Sequence, residues 1–242
     1  MYVKDELVPK AVQRRRRRKT ALIISGIATL GMIILAIIAF SLVRVDAFTV
    51  TTDNDPQLCL TLDEEKQFST TKLVAPPIYE VSDTQYSEIP YNIEEGIGSK
   101  NTDSYFAYSF YLGGQSTATR INYSLSMTLD QASNEIDDAV RVMTIRNGVK
   151  TVYSKPDENG NGRPIYGGER GKTPETVLGT TKPFYENRHI ILEPYTVIPG
   201  EYDKYTVVMW IDGWESVDTM KGGMFLATLK FSTISTIVEG EN

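Results

Sequence analysis

An all-β fold, an antiparallel β-sandwich or jelly roll set after a single N-terminal transmembrane helix, is what this 242-residue sequence predicts, and three observations predict it. After Val43 no stretch sustains apolar spacing near 3.6 residues, whereas several stretches alternate with a period of two. Turn residues (Pro56, Gly113-Gly114, Asn147-Gly148, Pro199-Gly200, Gly222-Gly223) separate those stretches at strand-like intervals. Ahead of them stands one uncharged run, Thr20 to Val43, long enough as a helix to cross a hydrocarbon core of roughly 30 Å.

The net charge of −6 conceals a division. Residues 1–19 carry eight basic and two acidic side chains, and the remainder carries seventeen basic and twenty-nine acidic ones. Arg14, Arg15, Arg16, Arg17, Arg18 and Lys19 stand directly before the apolar run. A basic flank on a hydrophobic span stays in the cytoplasm, so the chain is expected to sit in the cell membrane with its N-terminus inside and its C-terminal domain outside. The same charges favour anionic lipid headgroups over nucleic acid. The domain plan is a basic cytoplasmic tail over 1–19, a transmembrane helix over 20–43, membrane-proximal strands and a loop over 44–103, and the main β-sandwich region over 104–242. The apolar run exceeds the usual signal-peptide core, which favours a retained anchor. Val45-Asp46-Ala47 resembles a cleavage site, so secretion after cleavage behind Ala47 is the alternative. Cys59 is the only cysteine and excludes an internal disulfide; between Leu58 and Leu60 it reads as a buried small apolar residue.

Taken in order, Phe48 to Thr52 and Leu58 to Leu62 are β-prone, and Pro76-Pro77 interrupts Lys72 to Val81. Tyr79 to Ser104 reads as a long surface loop. Ser104 to Leu112 and Thr119 to Leu129 alternate cleanly, and Gly113-Gly114 predicts a hairpin-like pair between them. Asn147-Gly148 between two β-rich runs predicts a hairpin closed by a type I′ turn, because both residues tolerate positive φ. Lys155 to Pro183 is glycine-rich and irregular. Later strands are expected over Arg188 to Val197, Tyr202 to Asp212 and Met224 to Ser232, with Thr233 to Val238 continuing the last. In Tyr202 to Asp212 both alternating sets of residues are fairly apolar.

The chemistry-bearing residues are few. His189 is the only histidine; no G-x-S-x-G or H-E-x-x-H occurs, so neither a serine-hydrolase set nor a zinc set is legible. Asp157, Asn159 and Asn161 match the first half of a calcium loop, oxygens at alternate positions with Gly162 for the bend, and are the metal candidates. The bidentate glutamate is missing: Gly168 holds the twelfth position. A solvated turn is the preferred reading, with calcium the one cofactor considered. Asp212, Glu215 and Asp218 form a second acidic group beside Trp210 and Trp214.

The segment from Pro199-Gly200 through Tyr202, Tyr205-Thr206, Trp210 and Gly213, closing with Gly222-Gly223 and the strand to Phe231, resembles the C-terminal part of Gram-positive surface proteins. The nearest group is the TasA/camelysin family of biofilm-matrix and cell-surface proteins. The resemblance covers about the last third of the chain and implies a jelly-roll domain on the cell surface. The metalloprotease activity described for some of that family is not carried over, because the chain has no histidine pair.

The expected function is therefore a single-pass bacterial surface protein with an extracellular β-sandwich for adhesion, assembly or partner binding, without catalysis. Its partners would be membrane lipid and a surface protein, a second copy or a cell-wall component. An anchored hydrolase of wall polymer or polysaccharide, working through paired carboxylates, is the alternative.

Overall fold

A computed structural model describes Met32, residues 48–168 and residues 176–238. The chain divides into two compact units, Met1–Val45 and Asp46–Asn242, and the second is the one described below. The Arg14–Lys19 run, the Thr20–Val43 span apart from Met32, and the cleavage position behind Ala47 lie outside the described residues. Among the described residues no helix is long and apolar enough to cross a membrane.

The described part is all-β. In chain order its strands are β1 (Phe48–Thr51), β2 (Leu58–Thr61), β3 (Lys72–Ala75), β4 (Gly98–Ser99), β5 (Tyr105–Gly114), β6 (Arg120–Ala132) and β7 (Val140–Arg146). There follow β8 (Val149–Ser154), β9 (Pro164–Gly167), β10 (Thr176–Thr180), β11 (Lys182–Pro183), β12 (His189–Val197), β13 (Tyr202–Ile211) and β14 (Phe225–Ile237). Five strands form one sheet in the order β12-β6-β14-β1-β3. Six form the path β11-β8-β7-β13-β5-β2 of a second sheet, which β4 joins beside β5, and β9 with β10 makes a small ribbon. The sheets are mixed rather than antiparallel throughout: β1 runs parallel to β14, and β11 parallel to β8.

The two large sheets share one core. Phe231 on β14 meets the Tyr205 ring of β13 edge-on at 5.1 Å and the Phe110 ring of β5 at 6.0 Å. Phe48, at the chain's entry into the domain, packs on Phe106 at 5.1 Å. Such T-shaped pairs set the positive ring edge against the negative face and add to the burial of large apolar area.

The second sheet is buried on its other face as well. Ile89 and Ile93, in the segment before β4, lie in a second cluster with Ala107, Met143, Ile145, Val152, Val208 and Trp210. The stretch expected as a surface loop therefore forms a cover. Lys100 fastens it, donating to the Ile93 carbonyl at 2.6 Å and to Ser109 Oγ at 3.0 Å. Sheets covered on both sides need apolar residues in both alternating sets, which is why β13 reads apolar throughout and β7 is buried along nearly its whole length.

That difference overturns the expected pairing of β5 with β6. The two strands belong to different sheets: β5 pairs with β13, β2 and β4, and β6 with β12 and β14. The off-core side of β5 carries buried Ala107 and Ser109, whereas that of β6 carries Asn122, Ser124, Ser126 and Thr128 towards solvent. Period two specifies which face is buried, not which strand lies alongside. Gly113 and Gly114 end β5 rather than turning a hairpin. A Cβ at Gly113 would overlap the Tyr202 ring, and one at Gly114 would stand 2.9 Å from Ile121.

The Asn147-Gly148 hairpin is present as expected. Arg146 pairs with Val149, and φ is 47° at Asn147 and 84° at Gly148, the type I′ signature. Phe231→Ala should destabilise the domain by about 3–5 kcal/mol, because the space between three rings cannot close around a methyl group. Phe68→Ala, at a side chain 77% exposed, should change stability by under about 0.5 kcal/mol. Urea denaturation of both variants reads the contrast.

Candidate functional site

The sequence-predicted residues are placed as follows. His189 opens β12, the outer strand of its sheet, and lines an open depression of about 520 Å³ with Glu186, Asn187 and Arg188. Four consecutive residues of one turn make that depression, so nothing converges on it from elsewhere. Asp157 Oδ1 accepts the backbone N–H groups of Asn159 and Asn161 at 2.9 and 2.7 Å. These bonds, Asn161's foremost, hold the Asp157 carboxyl below its ordinary range. The candidate calcium loop is thus a turn closed on its own amides. Among the described residues no group of three or more His, Cys, Asp or Glu is placed to hold a metal ion. Cys59 is buried, its Sγ 3.6 Å from the Gly113 carbonyl.

The acidic group Asp212, Glu215 and Asp218 divides. Asp218 is exposed and pairs with Lys221 at 2.8 Å. Asp212 and Glu215 gather around Arg141, which only 2% of its surface leaves accessible. Arg141 Nη2 lies 3.1 Å from Asp212 Oδ2, in ion-pair contact without hydrogen-bond geometry, and 3.8 Å from Glu215. Its Nη1 donates to the carbonyls of Asp138 and Val140. Arg163 reaches the other oxygen of Glu215 at 2.5 Å. Burial lowers the Arg141 pKa against the pull of Asp212 and Glu215, and raises that of Asp212 against the pull of Arg141. Of the two tryptophans, Trp210 is in the core and Trp214 is half-buried, edge-on to Tyr166 at 6.2 Å.

Beside this cluster lies a groove of about 370 Å³ made by two chain segments, Asp83–Glu88 and Thr102–Tyr105. Thr84 is bonded across to β13 and its following turn: its N–H donates to the Ile211 carbonyl and its carbonyl accepts from Gly213 N. Ser216 Oγ donates to Asp83 Oδ2 at 3.1 Å. Glu88 Oε2 accepts from Thr84 Oγ1 and from Gln85 N, capping the short helical turn Tyr86–Glu88. The lining is carboxylates (Asp83, Glu88, Asp103), hydroxyls (Thr84, Thr102, Ser104) and the Tyr105 ring. Such a surface offers acceptors, donors and one flat apolar face to a polar partner.

A second buried cluster closes the opposite end of the core, and nothing in the sequence order groups its members. Asp203, 6% exposed, is held by four hydrogen bonds from three side chains. Its Oδ2 accepts from Tyr123 OH at 2.7 Å and from Arg146 Nη2 and Nε at 2.8 and 3.1 Å; its Oδ1 accepts from Asn147 Nδ2 at 2.6 Å. Tyr123 spends its only proton on Asp203, so the Tyr205 hydroxyl, 2.6 Å away, donates to Tyr123. Burial pushes both tyrosines far above their ordinary range, with the neighbouring hydroxyl adding for Tyr205 and the Asp203 charge for Tyr123. Burial opposes the Arg146 cation, but the hydrogen bonds to Asp203 hold its pKa above the usual value. Arg146 also bonds the Thr196 carbonyl and stacks on Tyr195 at 4.6 Å. Tyr123, Tyr195 and Thr196 belong to one sheet, Arg146, Asp203 and Tyr205 to the other. The signal available in the sequence was charge set into otherwise apolar or aromatic runs, Arg141 alone in Val-Arg-Val-Met and Asp203 with Lys204 in Tyr-Asp-Lys-Tyr.

Arg146→Ala, which leaves Asp203 buried with one partner gone, should cost about 3–5 kcal/mol, and Lys182→Ala, which removes an exposed pair with Glu193, under about 1 kcal/mol. The raised pKa of Asp212 has its own consequence. A folded-state pKa above the unfolded one contributes stability that is whole below the unfolded value and lost as pH rises through the folded value. Wild type should therefore lose stability relative to Asp212→Asn as pH climbs out of the ordinary carboxylate range. Urea midpoints of the two proteins across pH check it; a gap moving the other way contradicts the assignment. Comparison with protein-family models, with curated proteins and with solved structures finds no match for this chain.

Proposed function

We propose that this is a single-pass, membrane-anchored bacterial surface protein that presents a β-sandwich of jelly-roll type outside the cell for adhesion, assembly or partner binding, without turnover. The observation that carries the reading is where the fold begins. The uncharged run ends at Val43, and β1 opens the two-sheet domain at Phe48, with only four residues between them. A folded domain attached this closely to a hydrophobic segment with a basic flank is the arrangement of a signal anchor.

The buried clusters support binding rather than chemistry. Arg141 and Asp203 are both neutralised by partners within the domain, which makes them parts of the frame. The strand edges are also largely engaged. Leu60 exchanges backbone hydrogen bonds with Thr70 just ahead of β3, Phe184 N donates to the Ser154 carbonyl of β8, and Pro194 interrupts the outer strand β12. Loop surfaces are left as the working faces, and the groove from Asp83 to Tyr105 is built by two of them. Its partner would be a surface protein, a second copy or a cell-wall component; the N-terminal segment would engage membrane lipid.

Protease added to intact cells should digest the C-terminal domain and spare the N-terminus. Digestion of an N-terminal tag with protection of residues 48–242 would overturn the topology.

A further inference from the structure

Asn147 does more than turn the β7–β8 hairpin. Its side-chain amide is held at both ends: Nδ2 donates to Asp203 Oδ1 at 2.6 Å, and Oδ1 accepts the Lys204 N–H at 2.8 Å. Its backbone N–H donates to the Lys204 carbonyl at 2.9 Å. One position thus needs a side-chain donor, a side-chain acceptor and a positive φ of 47°. Asparagine supplies all three. Aspartate in the same place has no proton for Asp203, and glycine reaches neither partner.

The residue that follows makes this position chemically exposed. Gly148 has no side chain to hinder approach of its backbone nitrogen to the Asn147 side-chain carbonyl carbon, and the turn is open to solvent. In that reaction the Gly148 nitrogen loses its proton and bonds to Cγ of Asn147, the Cγ–Nδ2 bond breaks and ammonia leaves. Water then opens the resulting ring at either carbonyl, giving aspartate or isoaspartate. In the folded hairpin both ends of the amide are engaged by β13, Nδ2 by Asp203 and Oδ1 by the Lys204 N–H, and these bonds must open before the amide can react.

We propose that Asn147-Gly148 is a latent deamidation site guarded by Asp203, and that its conversion turns the Asn147–Asp203 hydrogen bond, beside the Tyr123 contact from the other sheet, into a repelling pair of carboxylates. The product would set a second negative charge at hydrogen-bond distance from a buried one, where the Asn147 amide had donated. Isoaspartate would in addition lengthen the hairpin backbone by one atom and break the Arg146–Val149 register. The inference stands on the hairpin and the Asn147–Asp203 hydrogen bond alone and is independent of where the protein resides or what it binds.

The test is ageing of the full chain in mildly alkaline buffer, native and unfolded in urea, with peptide mass mapping for a gain of about one mass unit at Asn147. Conversion is expected to be slower in the native chain by at least about tenfold, since the amide must first leave two hydrogen bonds. Equal rates in the two states overturn the guarding role. The effect of conversion is read separately by comparing Asn147→Asp with Asn147→Gly, both of which lose the amide while only the first adds a charge. The aspartate variant should melt below the glycine variant, and should recover towards it on acidification. Equal or higher melting for Asn147→Asp would show that the carboxylates do not repel, and would sink the switch.

Discussion

The burial of one carboxylate, Asp203, between two sheets constrains much of this fold. A lone ion in such a place would be strongly unfavourable, so every element near it is arranged to solvate the charge from within. Tyr123 reaches across from β6, Arg146 from the end of β7 and Asn147 from the turn beyond it. Because the donors come from both sheets, satisfying Asp203 also sets how the sheets lie against each other. An apolar core alone tolerates sliding; a carboxylate with directional donors does not.

The same device recurs at the end where the chain enters. Arg141 is buried beneath the loops that follow β13 and is balanced by Asp212 and Glu215, with Arg163 holding Glu215 from the other side. Between the two clusters the core is built largely of rings, Phe48 on Phe106 at one end and Phe231 on Tyr205 and Phe110 further along. Polar groups therefore bracket an aromatic middle. The groove from Asp83 to Tyr105 inherits its rigidity from this frame, since Thr84 is hydrogen-bonded to the strand end and turn that carry Asp212.

The outer faces of the two sheets differ, and the difference assigns their roles. The five-stranded sheet turns Thr49, Ser124, Ser126, Thr128 and Thr228 outwards, small hydroxyl side chains suited to water. The other sheet carries Ala107, Met143, Val208 and Trp210 on its outer face and needs the Ile89–Ile93 cover to hide them. The segment between β3 and β5 is long because it crosses and seals that face, and in doing so it supplies one wall of the groove.

Much was legible in the sequence because it depends on neighbours along the chain. Alternation is local, so strand positions and the all-β class could be read, and the Asn147-Gly148 turn could be named from two residues whose backbone preference is intrinsic. The apolar content of both faces of Tyr202 to Asp212 already carried the mark of a doubly covered strand. Partnership was not legible. Whether β5 lies beside β6 or across the core from it leaves the same alternation in both strands, and only the competition among all the faces for burial settles that they oppose each other. Nor could the Asp203 cluster be read, since Tyr123 and Asp203 stand eighty residues apart and share no motif. Intrinsic backbone and face preferences were determined by the sequence alone; the pairing of strands and the convergence of charges were decided by the tertiary structure, because burial and charge neutralisation are satisfied only when the whole core closes.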